Sequence, residues 1–178
     1  MDETIIPLPV GSEAPDFELL DVLSGETVRL SGLRGAIVVL NFWSGECAWS
    51  RLYDEYFSQR APRWAQQDIW LLHISSNANE DANDIAEAAA ELGVAGPILH
   101  DVGHTVADAY GAQTTPHIFV IAPDGRIAYQ GAVDDRRFGQ QEATINYLDN
   151  AIGALLLGVD PDPAETPAYG CAIVREYG

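Results

Sequence analysis

Two cysteines, Cys47 and Cys171, are the residues of this sequence best suited to chemistry. Cys47 stands in Asn41-Phe42-Trp43-Ser44-Gly45-Glu46-Cys47-Ala48-Trp49-Ser50, where an apolar, β-branched run gives way to a helical pattern. A sulfur at such a junction faces unpaired backbone N–H groups and the positive end of a helix dipole. Both favour the thiolate, the form that attacks disulfides and oxidants. Ser50 lies three residues on and shares a helix face with Cys47. Its hydroxyl can donate a hydrogen bond to the sulfur but cannot close a disulfide. Glu46 opposes the dipole through like-charge repulsion; its plainer reading is a solvated first-turn residue. Trp43 and Trp49 flank the thiol and could shape a groove around it. The competing reading of Cys47 is a buried, inert thiol.

Other groups carry less. His100 and His104 are four apart with Asp101 beside them, but a third convincing metal ligand is lacking, so no metal site is expected. His73 and His117 fall on strand positions and read as packed or capping residues. Asp134-Asp135-Arg136-Arg137 reads as a solvated turn with a local ion pair. Two cysteines do not make a disulfide scaffold; they are two free thiols or one redox pair.

The elements that must position Cys47 follow from the apolar periodicity. Asp16–Leu20 and Thr27–Leu30 alternate around Gly25 and predict a hairpin. Residues 36–42 form a continuous apolar run and predict a central strand buried on both faces. A helix should start near Glu46 and run through Leu52, Tyr53, Tyr56 and Phe57 until Pro62 ends or kinks it. Ile69–Ser75 is a second buried strand. Asn79 or Asp81 can cap the next helix, through Ile85, Ala89 and Leu92, and Gly93 stops it. A short extended piece at 97–100 and a short helix over Thr105–Tyr110 follow. His117–Ile121 and Ile127–Tyr129 make a hairpin around Pro123-Asp124-Gly125. A last helix is expected from Gln140 to Leu157. The order predicts one α/β domain with a mixed sheet between helices and an N-terminal hairpin extension. It covers residues 1–158, followed by a tail over 159–178.

Charge excludes several functions. The chain has 178 residues with 27 acidic and 9 basic side chains, all nine arginine, for a net charge of −18. Such a surface repels phosphate backbones and anionic membranes, so no nucleic-acid partner is expected. No apolar run reaches the roughly 18 residues a membrane span needs. Met1–Val10 has no basic cluster or long apolar stretch, so the expectation is a cytoplasmic protein.

Several stretches resemble the redoxin-type thioredoxin-fold proteins, the group of alkyl hydroperoxide reductase/thiol-specific antioxidant proteins and bacterial thiol–disulfide oxidoreductases. They are Ala14-Pro15-Asp16-Phe17, Leu30-Ser31-Gly32-Leu33-Arg34-Gly35 and Val38–Trp43. Further on come Ala109-Tyr110-Gly111, Thr115-Pro116, Phe119-Val120-Ile121, Asp124-Gly125-Arg126-Ile127 and Tyr129-Gln130-Gly131. The resemblance implies a thioredoxin-like fold with Cys47 as nucleophile and Pro116 as a cis-proline opposite it. It also implies that the Thr115 backbone lines a substrate groove. The usual second motif cysteine is replaced by Ser50, so a Cys47 intermediate needs another resolver. Thr166-Pro167-Ala168-Tyr169-Gly170-Cys171-Ala172-Ile173 resembles a Thr-x-x-x-Gly-Cys-x-Ile ending of a redoxin subgroup, which makes Cys171 the candidate. The opposing reading is a buried tail anchor, which the apolar neighbours of Cys171 support. Peroxiredoxins carry a proline where this chain has Leu40 and an arginine about where it has Pro116. The resemblance to efficient peroxidases is therefore weaker.

These readings together predict a thiol–disulfide oxidoreductase or thiol-based antioxidant acting on protein or small-molecule thiols and disulfides. Cys47 and Cys171 would be catalytic, Ser50 and Glu46 would bear on the thiolate, and Thr115, Pro116, Trp43 and Trp49 would line the substrate site. The chemistry needs no cofactor. The alternatives are a non-catalytic thioredoxin-fold binding module and a weak peroxiredoxin-like peroxidase.

Overall fold

A computed structural model describes residues 4–94 and 96–176. Met1–Glu3, read above for a leader, and Tyr177–Gly178 of the expected tail lie outside the described residues.

The sheet has seven strands in the order β2-β1-β5-β4-β3-β7-β8. The strands are β1 (Glu18–Asp21), β2 (Thr27–Arg29), β3 (Ile37–Phe42), β4 (Ile69–Ser75), β5 (Ile98–His100), β7 (Ile118–Ile121) and β8 (Ile127–Gly131). A separate two-stranded sheet joins β6 (Thr114–Thr115) to β9 (Cys171–Ala172). Strand β3 pairs parallel with β4 and antiparallel with β7, so the sheet is mixed. The expected N-terminal hairpin is present as β1–β2, and β1 also pairs with β5, so the hairpin extends the main sheet.

Side chains alternate across β3. Val38, Leu40 and Phe42 join Phe17, Leu72, Ile74, Tyr110 and Phe119 on one face. Ile37 and Val39 join Phe57, Trp64, Leu148 and Ile152 on the other. That second face is covered by α2 (Asp54–Gln66) and α5 (Tyr147–Leu156). Helix α4 (Thr105–Tyr110) covers the first and ends at Gly111, whose φ of 68° is a left-handed stop. Helix α3 (Ala82–Leu92) starts on the capping box of Asp81 and Asp84. Its Ile85 and Ala89 pack with Trp43, Val94 and Ile98.

Three expectations need correction. The helix expected from Glu46 is two: α1 (Ala48–Leu52) and α2, meeting at Tyr53. Pro62 lies inside α2 and does not end it. The carbonyl it leaves unpaired belongs to Ser58, a partly exposed residue that water can reach. The last helix begins at Tyr147, not Gln140. Asp135 accepts from the Thr144 and Ile145 N–H groups and the Thr144 hydroxyl, which holds that segment as a loop. Asn146 then caps α5. Asp134 is buried, not solvated; it accepts from Tyr53 Oη at 2.7 Å and pairs with Arg136 at 3.0 Å.

Three buried groups shape the acid side of the stability curve. Burial pushes His73 and His117 from 6.5 down to about 4. As pH falls from 6.5 toward 4 the unfolded chain binds protons that the fold refuses, so stability is lost. Burial raises the Asp54 carboxyl from 3.8 to about 6. Its contribution runs the other way, being lost as pH rises through that window. Two histidines outweigh one aspartate, so denaturant unfolding should show falling stability from pH 6.5 toward 4. Asp54→Asn should steepen that fall and add about 1–2 kcal/mol at neutral pH. A variant curve parallel to the wild type would contradict the assignment.

Candidate functional site

Strand β3 delivers the chain to a turn, residues 43–47, at the edge of the fold. Trp43 N–H bonds back to the Ile74 carbonyl at 2.8 Å, and its side chain is fully buried with Nε1–H donating to Asp54 Oδ1 at 2.9 Å. Trp43 therefore lines no accessible groove, a correction to the sequence reading: the core takes the ring because the turn points it beneath the site. Ser44 N–H donates to Ser50 Oγ at 3.1 Å, and Glu46 N–H to Ser44 Oγ at 3.2 Å. The Glu46 residue is exposed.

Cys47 is the N-cap of α1, and its sulfur accepts from the Ser50 backbone N–H at 3.5 Å. The contact from Ser50 to the sulfur is thus made by backbone; the hydroxyl accepts from Ser44 instead. On the opposite side the Cys47 sulfur lies 3.2 Å from the Thr115 carbonyl oxygen. Residue 115 is 2% exposed, and the Thr115–Pro116 peptide bond is cis.

The sequence left open whether the tail reaches this place. It does: Cys47 and Cys171 form a disulfide with Cα atoms 6.1 Å apart. Cys171 pairs with Thr115 and Ala172 with Thr114, so the tail adds an antiparallel strand to the segment beside Pro116. The two readings of Cys171, partner and anchored residue, coexist. Trp49, half-buried, meets Tyr169 edge-to-face at 4.9 Å between ring centres, and the Arg137 guanidinium lies over the Tyr169 ring at 4.6 Å.

The tail is held on both sides of Cys171. Upstream, Thr166 N–H donates to the Gln130 carbonyl at 3.1 Å, and Thr166 Oγ1 accepts from Ala132 N–H at 3.0 Å. Downstream, Ile173 enters the core and its N–H donates to the Gln113 carbonyl at 3.1 Å. Arg175 pairs with Asp108 at 2.8 Å. His117 supports this from behind: its Nδ1 accepts from Gln113 N–H, so Nε2 carries the proton and donates to Gln130 Oε1 at 2.9 Å. His104 faces Asp108 and the Glu176 carbonyl. Among the described residues no group of three His, Cys, Asp or Glu is placed to hold a metal. Sequence reasoning missed Asn77, Gln113 and Thr166 as tail contacts, since nothing in their local pattern marks a partner so distant in the chain.

Residues 10–130 match the model of the AhpC/TSA family. The chain belongs to the AhpC/TSA family. Cys47, Thr115 and Pro116 lie within the matched segment of the family, and Cys171 lies beyond it. The thiol-disulfide oxidoreductase ResA of Geobacillus thermodenitrificans is 34% identical over 118 residues, 66% of this chain and 66% of that protein. The chain thus spans just under two thirds of that relative. The crystal structure of a hypothetical protein from Sinorhizobium meliloti 1021 aligns with TM-score 0.87 and 29% identity, covering 96% of this chain and 97% of that one. The thioredoxin domain of a thiol-disulfide oxidoreductase from Bacteroides vulgatus aligns with TM-score 0.60 and 25% identity over 67% of this chain and 86% of that one. The fold is thioredoxin-like, as the sequence predicted.

Gly170 gives a direct test of the seat. A Cβ at residue 170 would run into the Thr115 carbonyl oxygen. Overpacking of this kind costs about 1–3 kcal/mol. Gly170→Ala should therefore lower the stability of the protein to denaturant unfolding by about 1–3 kcal/mol. An unchanged unfolding free energy would contradict the packing described.

Proposed function

We propose that this protein is a thiol–disulfide oxidoreductase in which Cys47 attacks and Cys171 resolves. The observation that carries the reading is the seating of Cys171 beside Cys47 on strand β9, with Cα atoms 6.1 Å apart. Membership of the AhpC/TSA family and the likeness to a thiol-disulfide oxidoreductase over 66% of the chain support it.

The cycle balances with two electrons. The Cys47 thiolate attacks one sulfur of a substrate disulfide, forms a mixed disulfide and releases the other sulfur as a thiolate. The Cys171 thiolate then attacks the Cys47 sulfur, closes the Cys47–Cys171 bond and releases the second substrate thiol. An external thiol returns the pair to the dithiol. Ser50 N–H supports the Cys47 thiolate each time it forms, and Thr115 and Pro116 wall the site. Trp49, through Tyr169, holds the tail. Glu46 stands exposed one residue before Cys47. The substrates are thiols and disulfides, and the net charge of −18 disfavours nucleic acid. No helix among the described residues is long and apolar enough to cross a membrane. We assign the protein to the cytoplasm, where a pair of this kind starts each cycle as the dithiol and its disulfide is transient.

Cys47→Ser should abolish reduction of a small disulfide. Cys171→Ser should retain the first attack and accumulate a mixed disulfide on Cys47, visible as an added mass on the peptide containing residue 47. If the two variants and the wild type give the same products and rates, the exchange reading fails and a binding module takes its place.

A further inference from the structure

We propose that Asn77 latches the tail over the strand edge by which a polypeptide reaches Cys47, and so selects small oxidants over extended polypeptide disulfides. The inference rests on Cys47 and Cys171 as the exchanging pair.

The tail itself shows how an extended chain brings a sulfur to Cys47. It lies antiparallel to Thr114–Thr115, with its cysteine opposite Thr115 and its glycine against the Thr115 carbonyl. Residue 47 is only 6% exposed, closed in by the Ser50 side of α1 and by Thr115. A polypeptide disulfide docking by strand addition needs the same edge. Two strands cannot hold one edge, so the tail must lift before such a substrate docks. A small disulfide needs no backbone edge and escapes this competition.

Asn77 is built to resist the lifting. Its Oδ1 accepts from Val174 N–H at 2.8 Å, and the neighbouring Ala78 N–H donates to the Val174 carbonyl at 2.9 Å. The other end of the same amide, Nδ2, donates to Glu80 Oε2 at 2.6 Å. That oxygen also accepts from Ser44 Oγ at 2.9 Å, and Ser44 belongs to the turn that carries Cys47. Asn77, through Glu80, therefore ties Val174, three residues past Cys171, to Ser44, three residues before Cys47. Ser44 and Glu80 are both buried, so the tie is shielded from water. Asn77 is itself half-exposed and no part of the core. It acts as a positioning residue that sets how often the edge stands open.

The chemistry with either substrate is the two-electron exchange described above, with dithiothreitol as the external reductant in the assay. The test compares initial rates of the full-length wild type, Asn77→Ala and Ile173→Ala on hydroxyethyl disulfide and on insulin. Ile173→Ala loosens the same tail from the core side. Losing one hydrogen bond shifts an equilibrium by about fivefold. The insulin-to-hydroxyethyl-disulfide rate ratio should therefore rise about fivefold or more in both variants. A ratio unchanged in either variant, or an equal fall on both substrates, overturns the latch. Activity surviving in Cys47→Ser on both substrates would instead overturn the exchange reading beneath it.

Discussion

The site depends on one short strand pairing, Cys171–Ala172 against Thr114–Thr115. Without it the chain would hold a single cysteine at a helix start and a serine where a second motif cysteine would sit. With it, two sulfurs far apart in sequence meet at the end of the central strand. The rest of the molecule reads as support for that pairing. Strand β3 ends at Phe42 and hands the chain to the Cys47 turn. Strand β7 starts two residues after Pro116, which fixes where Thr115 can stand. The two neighbours in the sheet, β3 and β7, therefore set the distance between Cys47 and its wall.

The pairing is short, and two residue pairs of backbone bonding would not hold a tail against solvent. What holds it is spread along the tail. Thr166 fixes the approach, Ile173 buries apolar surface and Asn77 and Arg175 grip the backbone and side chain beyond it. None of these contacts needs the disulfide. The bond itself adds a covalent constraint that closes a loop of sequence separation 124, worth about 4–5 kcal/mol in the loop-entropy account. The dithiol form of the account is thus a protein with its tail still seated and its resolving thiol in place, not one with a free arm.

Much of the frame was legible in the sequence because it depends on local periodicity. The runs 37–42 and 69–75 are apolar throughout and became central strands, and Asp81 and Gly93 bound a helix as their side-chain chemistry requires. The site was legible in its types but less in its contacts. Cys47 lies at a helix start and Thr115–Pro116 opposite it, as the motif resemblance implied. Trp43 was misplaced because adjacency in sequence says nothing of which face of a turn a ring takes. Ser50 was assigned a hydroxyl contact where the backbone makes one. The loop at 140–146 was read as helix because its propensity is helical, and one carboxylate, Asp135, overrides it. The seat of the tail was hidden for a plainer reason: every contact that makes it joins residues at least 30 apart, and no periodic pattern records such pairs.

The central claim is that the tail stays seated when the disulfide is open, and amide hydrogen exchange on the fully reduced protein tests it most directly. The Ile173 and Val174 amides donate to the Gln113 carbonyl and to Asn77 Oδ1. The account predicts that both remain protected in the dithiol form, with exchange slowed well below that of an unstructured chain. Exchange of both amides at the unstructured rate once the bond is reduced would show that the disulfide alone holds the tail, and would contradict the account.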